Sequence, residues 1–167
     1  TPSAHTLAEA GAGFTQGYGL MTLHRPSNVD DAPVLRRLLT ELAEISRETP
    51  LVFPVHPRTR ARVSDAGLDT LLDDASILLL PPQGYLEMLG LMRDARMVLT
   101  DSGGIPITVT QGTNTIVGTD ATAIRKAYRE VMEVGGKAGR QPEHWDGHAA
   151  ERIATVLARC FASGRAA

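Results

Sequence analysis

Short apolar runs alternate along this chain with longer amphipathic stretches, and that alternation limits the possible folds more than any other feature. Tyr18–Leu23, Leu51–Val55, Ser76–Leu80, Met97–Thr100 and Thr115–Val117 are each brief and bounded by Gly, Pro or Asp. Continuous apolar character at such lengths predicts strands covered on both faces. Asp31–Arg47 carries Val34, Leu35, Leu38, Leu39, Leu42 and Ile45 as an i, i+3, i+4, i+7 stripe, with Asp30 or Asp31 placed to cap its start. Tyr85–Arg93 is expected to pack Leu86, Leu89 and Met92 on one face, and Ala149–Phe161 to turn Ile153, Val156 and Leu157 inward; Asp120–Val134 is a further helical stretch. Strands alternating with helices predict an α/β fold with a doubly wound, parallel sheet.

Length and composition agree. A chain of 167 residues with 43% hydrophobic side chains suits one domain, 1–167, with a core of its own. No apolar run approaches the roughly 20 residues that span a bilayer, and Thr1–Gly13 has no signal-peptide pattern, so no membrane partner is expected. A net charge of −2 and a pI near 6.2 provide no basic field for nucleic acid. The single cysteine, Cys160, excludes an internal disulfide and any cysteine-based zinc site, which fits a reducing cytoplasm and a metal-independent protein.

In parallel sheets, ligands sit beyond the C-terminal ends of the strands. The first strand is followed by His24-Arg25-Pro26-Ser27-Asn28 and the second by His56-Pro57-Arg58-Thr59-Arg60. The third is followed by Pro81-Pro82-Gln83-Gly84-Tyr85 and the fourth by Asp101-Ser102-Gly103-Gly104. Polar and cationic groups thus gather at one rim. Gly103 and Gly104 would let backbone N–H groups approach an anion while Ser102 adds a hydroxyl, although a simple strand-ending turn reads equally from the local sequence. Ile105-Pro106-Ile107-Thr108-Val109-Thr110 is a poor opening for the helix that usually follows a phosphate loop. His24 and His56, each near an arginine, suit either a structural role or an anion contact. Gln83 has amide groups for a nucleobase edge, and Tyr85, in the same rim loop, either contacts the ligand or simply staples the next helix. Asp146 reads as a helix cap or a ligand contact. No third ligand stands at metal-binding spacing beside the two histidines.

Taken in order, these pieces resemble the non-hydrolysing UDP-N-acetylglucosamine 2-epimerases. The resemblance rests on Leu20-Met21-Thr22-Leu23-His24-Arg25-Pro26-Ser27-Asn28-Val29, Phe53-Pro54-Val55-His56-Pro57-Arg58-Thr59-Arg60 and Leu99-Thr100-Asp101-Ser102-Gly103-Gly104-Ile105. It continues through Gln111-Gly112-Thr113-Asn114, Gly118-Thr119-Asp120 and Asp146-Gly147-His148-Ala149-Ala150-Glu151-Arg152-Ile153. It implies a Rossmann-like, three-layer parallel sheet, the C-terminal domain of a glycosyltransferase-B type fold. Residues 1–13 would be an N-terminal extension and 149–163 the C-terminal helix, with the family's N-terminal domain absent. The implied reaction interconverts UDP-GlcNAc and UDP-ManNAc by eliminating UDP and adding it back, without metal or nicotinamide. The resemblance implies that His24 is catalytic and contacts the UDP phosphates, that Ser102, Gly103 and Gly104 form the diphosphate loop, and that Gln83 and Met88 lie at the base. Arg25 and His56 match positions of a second, regulatory UDP-GlcNAc site. Full-length relatives are expected to be homodimers.

Two departures accompany the resemblance. The carboxylates expected to abstract the C2 proton belong to the missing domain, so the chain alone is expected to hold UDP with little or no turnover. Ile105 also runs directly into Pro106, where relatives carry a further helix and strand with a glutamate that binds the ribose. A parallel crossover needs a dozen or more residues, so the expectation is that a segment belongs between Ile105 and Pro106 rather than that it was truly deleted.

Overall fold

The structure, a computed structural model, describes residues 7, 14, 17–102, 106–143 and 145–163, with side chains through residue 159. One compact unit comprises the described residues of Thr1–Gly103 and Val117–Val134, and a second those of Gly104–Ile116 and Gly135–Ala167.

The first unit is an α/β layer structure around four parallel strands: β1 (Gly19–Thr22), β2 (Leu51–Pro54), β3 (Ile77–Leu80) and β4 (Met97–Thr100). Their order across the sheet is β3-β2-β1-β4. Helices α1 (Pro26–Val29) and α2 (Ala32–Ser46) follow β1, α3 (Pro57–Asp65) and α4 (Asp69–Asp73) follow β2, and α5 (Tyr85–Asp94) follows β3. Beyond β4, α6 (Pro106–Thr110) lies in the second unit, α7 (Ala121–Val134) in the first and α8 (Ala149–Ser163) in the second.

Successive strand residues point to opposite faces, and each face has its own cluster. Met21, Leu51, Phe53 and Met97 meet Leu35, Leu38, Leu39, Leu42 and Ile45 of α2, with Ile124 and Tyr128 of α7. On the other face Leu20, Val52 and Leu80 meet Tyr18 and Leu91. Both faces of the central strands are therefore buried, which is why they read as unbroken apolar runs rather than alternating ones. Full burial of side chains such as Phe53 and Leu35 contributes about 1.5–3 kcal/mol each. In the interior strand β1 a Cβ on Gly19 would come within 2.8 Å of Leu51 Cδ2 and 3.0 Å of Met97 Cε, so the ends of those two side chains would have to shift to admit it.

The expected α2 stripe faces the core, with Val34 partly buried, and Asp31 rather than Asp30 is its cap, accepting from Val34 N at 3.0 Å. Helix α7 is held to α2 by Arg125, whose Nη2 donates to buried Glu41 Oε1 at 3.0 Å. The Tyr128 hydroxyl adds a second tie, 3.0 Å from Thr49 Oγ1 and 3.1 Å from Glu48 Oε2.

Four expectations need correction. Thr115–Val117 is not a strand. Among the described residues no strand pairs with it, and extended backbone without a ladder partner is not a strand. Leu86, Leu89 and Met92 are not the packed face of α5: Leu86 is 65% exposed and the other two are exposed as well. The helix instead turns Met88 and Leu91 to the sheet, one step round the same apolar surface. Ile153, Val156 and Leu157 of α8 are likewise exposed. Pro106–Thr110 does form a helix, because proline at a first helical position lacks only an N–H that would have no intrahelical partner and Gln111 N closes the turn on Ile107 O at 2.9 Å. The Ile105–Pro106 junction lies partly outside the described residues.

In the second unit, Arg140 N donates to Gln111 O at 2.7 Å, and Lys137 Nζ donates to the Val109 carbonyl. Asp146 accepts from His148 N at 3.0 Å and from Arg152 Nη1 at 2.9 Å, just ahead of α8. The Arg152 guanidinium holds the Asp146 carboxyl well below the usual carboxylate range.

Candidate functional site

Because β1 and β4 are neighbours in the parallel sheet, the segments that leave them emerge side by side. The turn after β1 presents His24 and Arg25, and the turn after β4 presents Asp101 and Ser102. Asp101 joins the two. Its Oδ2 accepts from His24 N at 2.9 Å, from Arg25 N at 2.7 Å and from Asn28 Nδ2 at 3.3 Å. Its Oδ1 lies 3.0 Å from His24 Nδ1. The Asp101 side chain is 4% exposed and that of His24 is 54% exposed, so a buried carboxylate backs an imidazole that opens to solvent. Arg25 Nη2 donates to Ser102 O at 2.8 Å and closes the junction from the other side.

Threonines order the same corner. Thr22 Oγ1 donates to Thr100 Oγ1 at 2.8 Å, and Thr100 Oγ1 donates onward to Ser102 Oγ at 3.0 Å while accepting from Ser102 N at 3.1 Å. Ser102 Oγ therefore receives a hydrogen bond and keeps its own hydrogen to give to an incoming acceptor. Buried Thr59, on α3, donates to Leu23 O at 2.9 Å and fixes the backbone just ahead of His24.

The remaining candidates stand further along the rim. His56 is exposed after β2 and its Nδ1 accepts from Arg58 N at 3.2 Å, so the ring caps α3. Arg58 is turned to Asp30, which also holds Arg62 Nε at 3.1 Å, so neither guanidinium is directed to His56. Gln83, after β3, donates from Nε2 to Pro81 O at 2.7 Å. At ~4.8 Å per strand, its position is two strands, ~10 Å, from that of His24. Met88 is half-buried and packs with the cluster around Leu20 and Val52. Tyr85 is exposed. Gly103 and Gly104 lie outside the described residues. Among the described residues no group of three His, Cys, Asp or Glu side chains is arranged to hold a metal ion, and no helix is long and apolar enough to cross a membrane.

Asp101 had no role in the sequence reading beyond opening its motif. The clue was an acidic residue ending one strand and a histidine ending another, but only strand adjacency turns that clue into a contact.

A parallel sheet with an imidazole and a hydroxyl converging beyond two adjacent strand ends defines a Rossmann-like α/β protein. The comparisons with known proteins narrow the class. The chain belongs to the UDP-N-acetylglucosamine 2-epimerase family, an epimerase family whose model matches residues 3–158. The UDP-N-acetylglucosamine 2-epimerase of Methanocaldococcus jannaschii is 32% identical over 163 residues, covering 84% of this chain and 44% of that protein. The UDP-2,3-diacetamido-2,3-dideoxy-D-glucuronate 2-epimerase of Pseudomonas aeruginosa is 40% identical over 96 residues, covering 57% of this chain and 26% of that protein. Among solved structures, the M. jannaschii enzyme in complex with UDP-GlcNAc and UDP superposes with a TM-score of 0.75 at 28% identity, covering 94% of this chain and 52% of that one. The fold is thus of the glycosyltransferase-B type. At most about half the length of these relatives is spanned by the chain.

Proposed function

We propose that residues 1–167 are the UDP-binding portion of a UDP-GlcNAc 2-epimerase. In the full reaction, UDP-GlcNAc and UDP-ManNAc interconvert by loss of UDP and the C2 proton to a glycal, followed by re-addition with C2 inverted. The observation that carries this reading is the His24–Asp101–Ser102 junction, where two adjacent turns of a family-matching sheet are locked together beside an open imidazole and a free hydroxyl hydrogen. His24 would meet the diphosphate through Nε2 and stabilise its charge as the C1–O bond breaks. Ser102, Gly103 and Gly104 would line the diphosphate, Gln83 and Met88 the base, and Arg25 and His56 a second nucleotide-sugar site. The base that takes the C2 proton is assigned to none of these residues. A cytoplasmic location and a homodimer of the full-length enzyme belong to the same proposal.

A second UDP-sugar substrate class is supported by the 40% identity to the diacetamido-glucuronate epimerase. Both substrates share UDP, and the residues above address that shared part. Calorimetric titration of the chain with UDP, beside epimerisation assays on UDP-GlcNAc and UDP-2,3-diacetamido-2,3-dideoxy-glucuronate, tests the reading. Stoichiometric UDP binding with negligible turnover is expected. Absence of UDP binding, or rapid turnover by the chain alone, would overturn it.

A further inference from the structure

We infer that Asp101 is the positioning residue of the site: it fixes the His24 ring with its Nδ1 hydrogen directed inward and Nε2 directed to the open rim. The inference rests on the proposed UDP-binding role of His24 but is decided by the ring itself.

The two carboxylate oxygens of Asp101 do different work. Oδ2 accepts from the backbone N–H groups of His24 and Arg25 and from the Asn28 amide, so it anchors the turn. Oδ1 has no such duty. It is buried and accepts no hydrogen bond, although the His24 ring nitrogen lies 3.0 Å away. An ionised carboxylate only accepts, so a hydrogen on Nδ1, turned onto Oδ1, is what would satisfy this buried oxygen. A neutral imidazole with hydrogen on Nδ1 has a bare Nε2, and a charged one has hydrogen on both. In either state the ring has one orientation, with Nε2 facing solvent. A ring with hydrogen on both nitrogens presents Nε2–H to an approaching diphosphate as a charge-assisted donor, with the Asp101 carboxylate behind it. This is the carboxylate–histidine logic by which a buried acid selects the tautomer that an exposed imidazole uses.

The two oxygens also supply a variant that separates positioning from folding. In Asp101→Asn the amide oxygen can retain the Oδ2 bonds to the two backbone N–H groups. The amide nitrogen then faces Nδ1 as a donor and favours hydrogen on Nε2 instead. A residue that merely anchors the turn would leave the tautomer unchanged by this substitution.

The experiment is two-bond 1H–15N correlation of ring-labelled histidine in the 167-residue chain, at a pH high enough for a neutral ring, with His24→Gln assigning the signals. Wild-type protein is expected to show Nδ1–H and a bare Nε2 at His24, and D101N to move the hydrogen to Nε2 while lowering UDP affinity about tenfold. A wild-type ring with hydrogen on Nε2, or an even mixture, overturns the inference, as does a folded D101N with unchanged populations. Should D101N fail to fold, the wild-type spectrum alone decides. Failure of the wild-type chain to bind UDP, with the Nδ1–H tautomer in place, would sink the UDP reading and leave the positioning role standing.

Discussion

Thr59 Oγ1 donates to the Leu23 carbonyl at 2.9 Å, tying α3 to the end of β1 one residue before His24. Thr59 is 1% exposed, so the bond is made out of reach of water. Replacing the hydroxyl by a methyl keeps the volume but removes the donor. Thr59→Val should cost about 1–3 kcal/mol, the range for depriving a buried acceptor of its partner. Urea denaturation, with an unchanged m-value, checks it.

Ser102 receives a hydrogen bond from Thr100, which leaves its own hydrogen for a ligand oxygen. Hydrogen bonds to charged groups contribute ~1.5–3 kcal/mol, so Ser102→Ala should weaken UDP binding by about 10–100-fold. Calorimetry reads the affinity, and thermal unfolding without ligand should barely move because Ser102 is exposed. Wild-type affinity in S102A would remove the hydroxyl from the site.

Helix α5 gives a contrast within one element. Leu91 is fully buried against Leu20 and Val52, whereas Leu86 is exposed. Leu91→Ala should destabilise by about 2–5 kcal/mol; Leu86→Ala should stay within about 0.5 kcal/mol. Equal costs would mean that Leu86 packs in solution.

Glu41 brings pH into the stability of the α2–α7 pair. The Arg125 hydrogen bond holds its carboxyl below the ordinary glutamate value. A lowered folded-state value means stability that is present above the unfolded value and lost as pH falls through the folded one. Glu41→Gln should therefore reduce stability at pH 7, with the gap from wild type closing as pH drops below about 4.3. Denaturant midpoints measured from pH 7 to pH 3 test this; a gap constant with pH would rule out the linkage.

Gly19 packs between Leu51 and Met97 in the interior strand β1. Gly19→Ala should cost about 1–3 kcal/mol through overpacking. A thermal melt that rises instead would show that the two flexible side chains yield freely.

Much of this protein could be read from its sequence, because its strands and α2 are specified locally. Four short apolar runs bounded by Gly, Pro or Asp mark the four strands, and in β1 and β2 burial on both faces leaves no alternation to confuse the reading. The α2 stripe and its Asp31 cap are also local signals, three or four residues apart. The motifs at the strand ends likewise identify the family and place His24 and Ser102 at one rim. Other features depend on distant neighbours. Which side of α5 meets the sheet is undetermined by a helix with apolar residues on several sides, and contact with Leu20 and Val52 selects Met88 and Leu91. Thr115–Val117 has strand composition but lacks the paired neighbour that a strand requires. Above all, the 3.0 Å approach of Asp101 to His24 joins residues 77 positions apart. A sequence can put a carboxylate and an imidazole at two strand ends, but the hydrogen-bonded order β2-β1-β4 makes those ends adjacent, and burial turns one oxygen of Asp101 toward the ring.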